Sequence, residues 1–160
     1  MRYLIISDTH NNTYHFNKVL DKVGTLDGLI HLGDFDGHES DIQALVDCNT
    51  YMVSGNNDFF SDMDREMLLE IGAYRIFMTH GHKYGVNYGQ DRILEAGKEL
   101  AANVVMFGHT HKPLITIKDG IYLINPGSIS QPRQEGRVPT YIIMELDRFG
   151  EIHFTLNYVD

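Results

Sequence analysis

Five short apolar runs in this chain each break off in a cluster of aspartate, histidine or asparagine, and this recurrence restricts the fold more than any other feature. "RYLIIS" (2–7) leads into Asp8-Thr9-His10, and "GLIHLG" (28–33) into Asp34. "TYMVSG" (50–55) leads into Asn56-Asn57-Asp58, "YRIFMTHG" (74–81) carries His80-Gly81-His82, and "NVVMFG" (103–108) leads into His109-Thr110-His111. Between the first three runs lie helical patterns. In residues 12–23, Phe16, Val19, Leu20 and Val23 recur at helical spacing, with Asn12 or Thr13 as cap and Gly24 as stop. Residues 39–47, "ESDIQALVD", form the second pattern. Strands alternating with helices make a parallel sheet with helices on its faces. In such sheets the carboxyl ends of the strands form one rim, where ligands bind. Five separate segments therefore deliver polar side chains to a single edge.

Later the rhythm changes. Residues 88–102 read as a solvated amphipathic helix with Ile93, Leu94 and Leu100 inward. After 108 the signals are all β: "PLITIKDG", "IYLINPG", "TYIIMELDRFG" and "EIHFTLNYV", parted by turn pairs. This predicts one α/β domain over residues 1–160, with a second, largely antiparallel sheet from the C-terminal part.

Composition removes several function classes. Thirteen Lys and Arg against 22 Asp and Glu give a net charge of −9, whereas a chain gripping extended nucleic acid carries a basic face. No stretch reaches the roughly 20 apolar residues of a membrane helix, and the apolar run in "MRYLIISDTH" is too short for a signal peptide. The single cysteine, Cys48, cannot form an internal disulfide, which fits a reducing compartment. A cytoplasmic protein without a membrane or nucleic-acid partner is the expectation.

The mixture of groups on the rim points to metal. Carboxylate oxygen, amide oxygen and neutral imidazole nitrogen all ligate divalent transition metals. In "DTH" and "HTH" the donors are two residues apart, so an extended backbone would point both the same way. Seven donors are too many for one mononuclear site and suit two ions with a shared carboxylate. Asp34, alone in its motif, is the candidate bridge.

In this order, "DTH", "GD", "GNND", "THGH" and "GHTH" resemble the signature of the calcineurin-like metallophosphoesterases. The small size and the tail "GHTH…NPGS…PR" are similar to the compact bacterial and archaeal phosphodiesterases of that superfamily. The resemblance spans residues 8 to 133, and its specificity lies in the order of all five motifs. It implies a four-layer α/β/β/α sandwich, two mixed β-sheets flanked by helices. It also implies two divalent ions, most often Mn2+, with Ni2+, Fe2+, Co2+ or Zn2+ as alternatives. Asp8, His10 and His111 would hold the first ion and Asn56, His80 and His109 the second, with Asp34 and a bridging hydroxide between them. The implied activity is hydrolysis of small phosphodiesters, and relatives of this kind often self-associate into homo-oligomers. Asn56 would then be a neutral ligand that leaves the cluster attractive to a phosphodiester anion.

The sequence departs from the family pattern at Asn57, where many members have a histidine that protonates the leaving group. An amide cannot act as that acid, so diesters with acidic leaving groups are expected to react best, with Asn57 contacting substrate. Asp58 would ordinarily orient the missing histidine; here it remains either in the catalytic set or as a brace for the loop. His82 is read as either an outer partner of a metal-ligating group or a direct substrate contact, and as the alternative proton donor. Arg133, in "NPGSISQPR", is the candidate for a forked contact to phosphate. His31, His15 and His153 read as structural, and His38 as a solvated loop residue. Two rivals remain. One is a phosphomonoesterase using the same cluster. The other is a non-catalytic binding module, because a scaffold subunit of the eukaryotic retromer shares this fold with a degraded metal site. All seven ligand positions are intact here.

Overall fold

The computed structural model describes residues 1–160. Its strands are β1 (Arg2–Ile6), β2 (Gly28–His31), β3 (Asn49–Met52), β4 (Glu66–Ile71), β5 (Tyr74–Thr79), β6 (Val104–Met106), β7 (Pro113–Lys118), β8 (Ile121–Pro126), β9 (Thr140–Leu146) and β10 (Ile152–Tyr158). The helices are α1 (Tyr14–Val23), α2 (Glu39–Ala44) and α3 (Asp91–Glu99). Two five-stranded sheets result, ordered β10-β9-β1-β2-β3 and β4-β5-β6-β8-β7. Both are mixed. In the first, β1, β2 and β3 are parallel and β9 runs antiparallel to both its neighbours, β1 and β10; in the second, β5, β6 and β8 are parallel, with antiparallel β4 and β7 at the edges.

Period-two burial explains the layering. In β1, Tyr3 and Ile5 enter a cluster with Ile76, Met78, Val104 and Met106 of the other sheet, while Leu4 and Ile6 face Phe16, Val19 and Ile42. In β6, Val104 and Met106 face the first sheet and Val105 packs with Ile93 and Leu94 of α3. The layers are therefore helix, sheet, sheet, helix. No helix is long and apolar enough to cross a membrane.

The strand count and pairings differ from the sequence expectation. β4, "EMLLEI", is not among the expected strands, and its Glu, Met and Leu favour helix by propensity. Its alternation is nevertheless that of a strand, with Met67, Leu69 and Ile71 packed in the inter-sheet core. It pairs with β5 across the short turn that begins at Gly72. The C-terminal strands also do not form a sheet of their own. β9, buried along almost its whole length, inserts beside β1, whereas β7 and β8 join the second sheet. α2 and α3 are shorter than the helical patterns 39–47 and 88–102.

Candidate metal centre

β1, β2, β3, β5 and β6 end at a common rim, and the loops that follow carry all seven candidate ligands. Backbone bonds tie these loops together: Asp8 N–H donates to Gly33 O (3.0 Å), His10 N–H to Asp34 O (3.0 Å) and Gly108 N–H to His80 O (3.0 Å). The expected extended backbone is corrected here. Asp8 and His10 have φ of 56° and 44°, His109 and His111 of 66° and 56°, and Asp34 of 59°. These are left-handed conformations, unfavourable by about 1–2 kcal/mol for residues bearing a Cβ. Non-glycine residues in such conformations cluster at functional sites, where the surrounding structure holds them. The two residues of each pair thus converge through tight turns rather than through strand alternation.

The turns lie so close that two glycines are required. A Cβ on Gly108 would stand 2.0 Å from Ser7 Oγ and 2.9 Å from Asp8 Oδ2; one on Gly55 would stand 2.1 Å from Asp34 Oδ1. Asp58 supplies the anchor for the second turn. Its Oδ2 accepts from the backbone N–H of Asp34 and Gly55 (both 2.7 Å), and its Oδ1 from those of Phe35 (3.0 Å) and Asp36 (2.8 Å). Both carboxylate oxygens of Asp58 thus serve the loop backbone, the bracing alternative of the sequence reading.

At the centre, Asp8 and Asp34 are 0% and 2% exposed. Asp8 Oδ1 lies 3.1 Å from His111 Nε2 and 3.9 Å from both His10 Nε2 and His80 Nε2. Asp34 Oδ2 lies 3.4 Å from His80 Nε2 and 3.8 Å from His10 Nε2. His10 Nε2 and His111 Nε2 approach to 3.2 Å, and His109 Nδ1 and His80 Nε2 to 3.3 Å. Nitrogens this close cannot all carry protons. Three of the rings are oriented from behind: His80 Nδ1 reaches Leu32 O at 2.7 Å, His111 Nδ1 reaches Gln131 O at 2.6 Å, and His10 Nδ1 reaches Asp36 Oδ2 at 3.2 Å. An Nδ1–H donated to oxygen leaves the Nε2 lone pair facing the centre, the tautomer a metal ligand needs.

Three groups of side chains bring their donor atoms within 4.8 Å of one another: Asp8, His10 and His111; Asp8, Asp34 and His80; and Asp34, Asp36 and Asp58, of which the last contains no imidazole. Asp8 Oδ1 and Asn56 Oδ1 are buried with no hydrogen-bond partner. Buried polar oxygens rarely stay unpaired, since the desolvation penalty is about 1–3 kcal/mol or more. An unpaired carboxylate oxygen facing three imidazoles, with an unpaired amide oxygen on the neighbouring loop, fits a site built for cations.

The charges interlock. Burial would raise the Asp8 carboxyl, but the nearby imidazoles of His111 and His80 outweigh it and hold it below its usual value. Burial likewise opposes ionisation of Asp34, and His80 together with Asn57 outweighs it, holding the carboxyl well below the usual range. His80 moves up in return: burial lowers it, and Asp34 and Asp8 more than reverse that. His109 is lowered by burial and by His80. His82 is pushed down to about 4, mainly by burial, then by His80 and His109, with Arg65 adding to the effect.

The other expected residues surround this centre. Asn57 donates to both oxygens of Asp34. The His82 ring lies 5.5 Å from that of His80 and 6.0 Å from that of His109, and its Nδ1 is buried without a partner. Arg133 donates its backbone N–H to His111 O (3.0 Å), while its side chain is exposed. His31 is structural: Nδ1 accepts from Gly33 N–H (3.1 Å), and Nε2 meets Thr9 Oγ1 (3.2 Å). His38 pairs with Asp41 and His153 with Asp147. The sequence reading missed Ser128 and Ser130, whose hydroxyls both donate to Asp8 O at 2.8 Å. It also missed Asp36 behind His10. The signal for the serines was the "NPGSIS" turn, whose target became visible only in three dimensions.

Comparison with known proteins agrees with this geometry. The family model of the calcineurin-like phosphoesterase superfamily domain matches residues 1–148. A Bacillus subtilis protein named probable metallophosphoesterase YsnB is 35% identical over 148 residues, covering 92% of this chain and 85% of that one. A phosphodiesterase of Methanocaldococcus jannaschii is 28% identical over 145 residues, covering 79% and 83%. Among solved structures, a predicted phosphoesterase of Streptococcus pneumoniae superposes with a TM-score of 0.80 at 27% identity, covering 98% of this chain and 97% of that one.

Proposed function

Because this chain belongs to the calcineurin-like phosphoesterase superfamily, we propose that it is a phosphodiesterase that hydrolyses small phosphodiesters at a dinuclear metal centre. The observation that carries this reading is the buried, unpartnered Asp8 Oδ1, within 3.9 Å of the Nε2 atoms of His10, His80 and His111, with a second buried, unpartnered oxygen, Asn56 Oδ1, in the loop after β3. Asp8, His10 and His111 would hold one ion, Asn56, His80 and His109 the other, and Asp34 both. Four imidazoles favour Mn, Fe, Co, Ni or Zn over Mg or Ca. Bound there, two such ions would supply an acidified water and neutralise phosphoryl charge.

The chain's own residues prepare the site. Leu32 O, Gln131 O and Asp36 fix three imidazole tautomers, while Ser128 and Ser130 hold the backbone that carries Asp8. Asn57 fixes both oxygens of Asp34, so the carboxylate stays ionised and keeps one orientation. Asn57 supplies no acidic proton, so the leaving oxygen departs with little help, and acidic alcohols leave fastest. The diester reading is favoured by the name of the Methanocaldococcus relative.

The test is hydrolysis of matched aryl diesters and monoesters by metal-stripped protein, with single ions restored. Diester turnover should return with metal and be lost in His80→Ala and Asp8→Asn. Metal binding without any turnover would instead identify a binding scaffold.

A further inference from the structure

Beside the centre, a cavity of about 380 Å³ opens between the loop after β2 and the loop after β3. Two of its walls are one contact from the candidate ligands: Asp36 Oδ2 is 3.2 Å from His10 Nδ1, and the Asn57 amide holds Asp34 Oδ2 at 2.7 Å. Phe59, Phe60 and Glu39 complete most of its rim. The fold gives no reason for the two phenylalanines, which are 75% and 99% exposed. An apolar ring left in water forgoes the roughly 1.5–3 kcal/mol that burial contributes. Their loop is well anchored, since the neighbouring Asp58 accepts four backbone N–H groups. The rings are thus presented on a braced turn, next to the reaction site.

The chemistry of the cavity selects an occupant. Its lining contains no lysine or arginine, while Asp36 and Glu39 make it anionic, and Glu39 Oε2 is buried without a hydrogen-bond partner. A second phosphate or a carboxylate on the substrate would be repelled here. A cation would meet two aromatic side chains, which attract ammonium groups, beside the carboxylates of Asp36 and Glu39. We propose that this cavity receives the ammonium end of the substrate, so that the preferred phosphodiesters are those of amino alcohols. The inference rests on the phosphodiesterase reading and narrows it to a substrate class.

Two probes of equal size isolate the charge: para-nitrophenyl aminoethyl phosphate and para-nitrophenyl propyl phosphate, tested with the manganese-reconstituted protein. Calorimetric binding and nitrophenol release are both measured. The aminoethyl diester should bind about tenfold more tightly or better. That ratio should collapse towards one in the Phe59→Ala/Phe60→Ala variant and shrink in Glu39→Gln. Because both rings are exposed, the double variant should fold with an unchanged unfolding midpoint. Equal affinity for the two probes, or binding of neither, overturns the inference, as does a preference that survives the double variant. A preference in binding with no release of nitrophenol supports the cation site and overturns the phosphodiesterase reading alone.

Discussion

Asn57 grips Asp34 twice, its backbone N–H donating to Oδ1 at 2.9 Å and its side-chain amide to Oδ2 at 2.7 Å. Asn57 therefore serves the carboxylate that both ions would share. Partners behind metal ligands typically account for about 10–100-fold in metal affinity. Asn57→Ala should accordingly weaken manganese binding by about that factor, as measured by competition with a chromophoric chelator. An unchanged affinity would mean that the contact does not support the centre.

The same residue leaves its mark on substrate preference. Positioned acids usually contribute about 10²–10⁴-fold. Across aryl diesters of rising leaving-group pKa, turnover should fall steeply, and alkyl leaving groups should lag by about that range. A flat series would show that another group, with His82 nearest to hand, protonates the leaving oxygen.

Asp58 is a brace whose removal should be felt in folding. Asp58→Ala strips the acceptors from four backbone N–H groups around Asp34 and Gly55. Each unpaired buried donor is unfavourable by about 1–3 kcal/mol, and relaxation makes the sum sub-additive. A loss of at least about 3 kcal/mol is expected in urea unfolding of the metal-free protein. A loss below about 1 kcal/mol would contradict the bracing role.

His31 should make the metal-free fold sensitive to mild acid. Burial pushes its imidazole down from 6.5 to about 4. Between those values the unfolded chain takes up a proton that the folded chain refuses, so stability falls as pH drops through the window and levels off below about 4. The shift corresponds to about 3 kcal/mol at most. His31→Gln should flatten the stability profile between pH 6.5 and 4 relative to the parent, read from unfolding midpoints in denaturant.

Much of the centre was legible in the sequence, because strand ends in a parallel sheet share an edge and each apolar run ends in a donor. Seven donors from five segments, in order, point to a metal rim before any coordinate is known. Tertiary structure decided how the donors converge. Asp8, Asp34, His109 and His111 adopt left-handed backbone conformations, which their residue types disfavour and which only surrounding contacts impose. It decided that β9 joins β1 rather than founding a separate sheet, since a strand buried on both faces needs two layers to cover it. It also placed Ser128 and Ser130 under Asp8, 120 and 122 residues away along the chain. Local pattern determines what each segment offers. Which segments meet is set by burial and hydrogen-bond satisfaction summed over the whole chain, and no short window of sequence contains that sum.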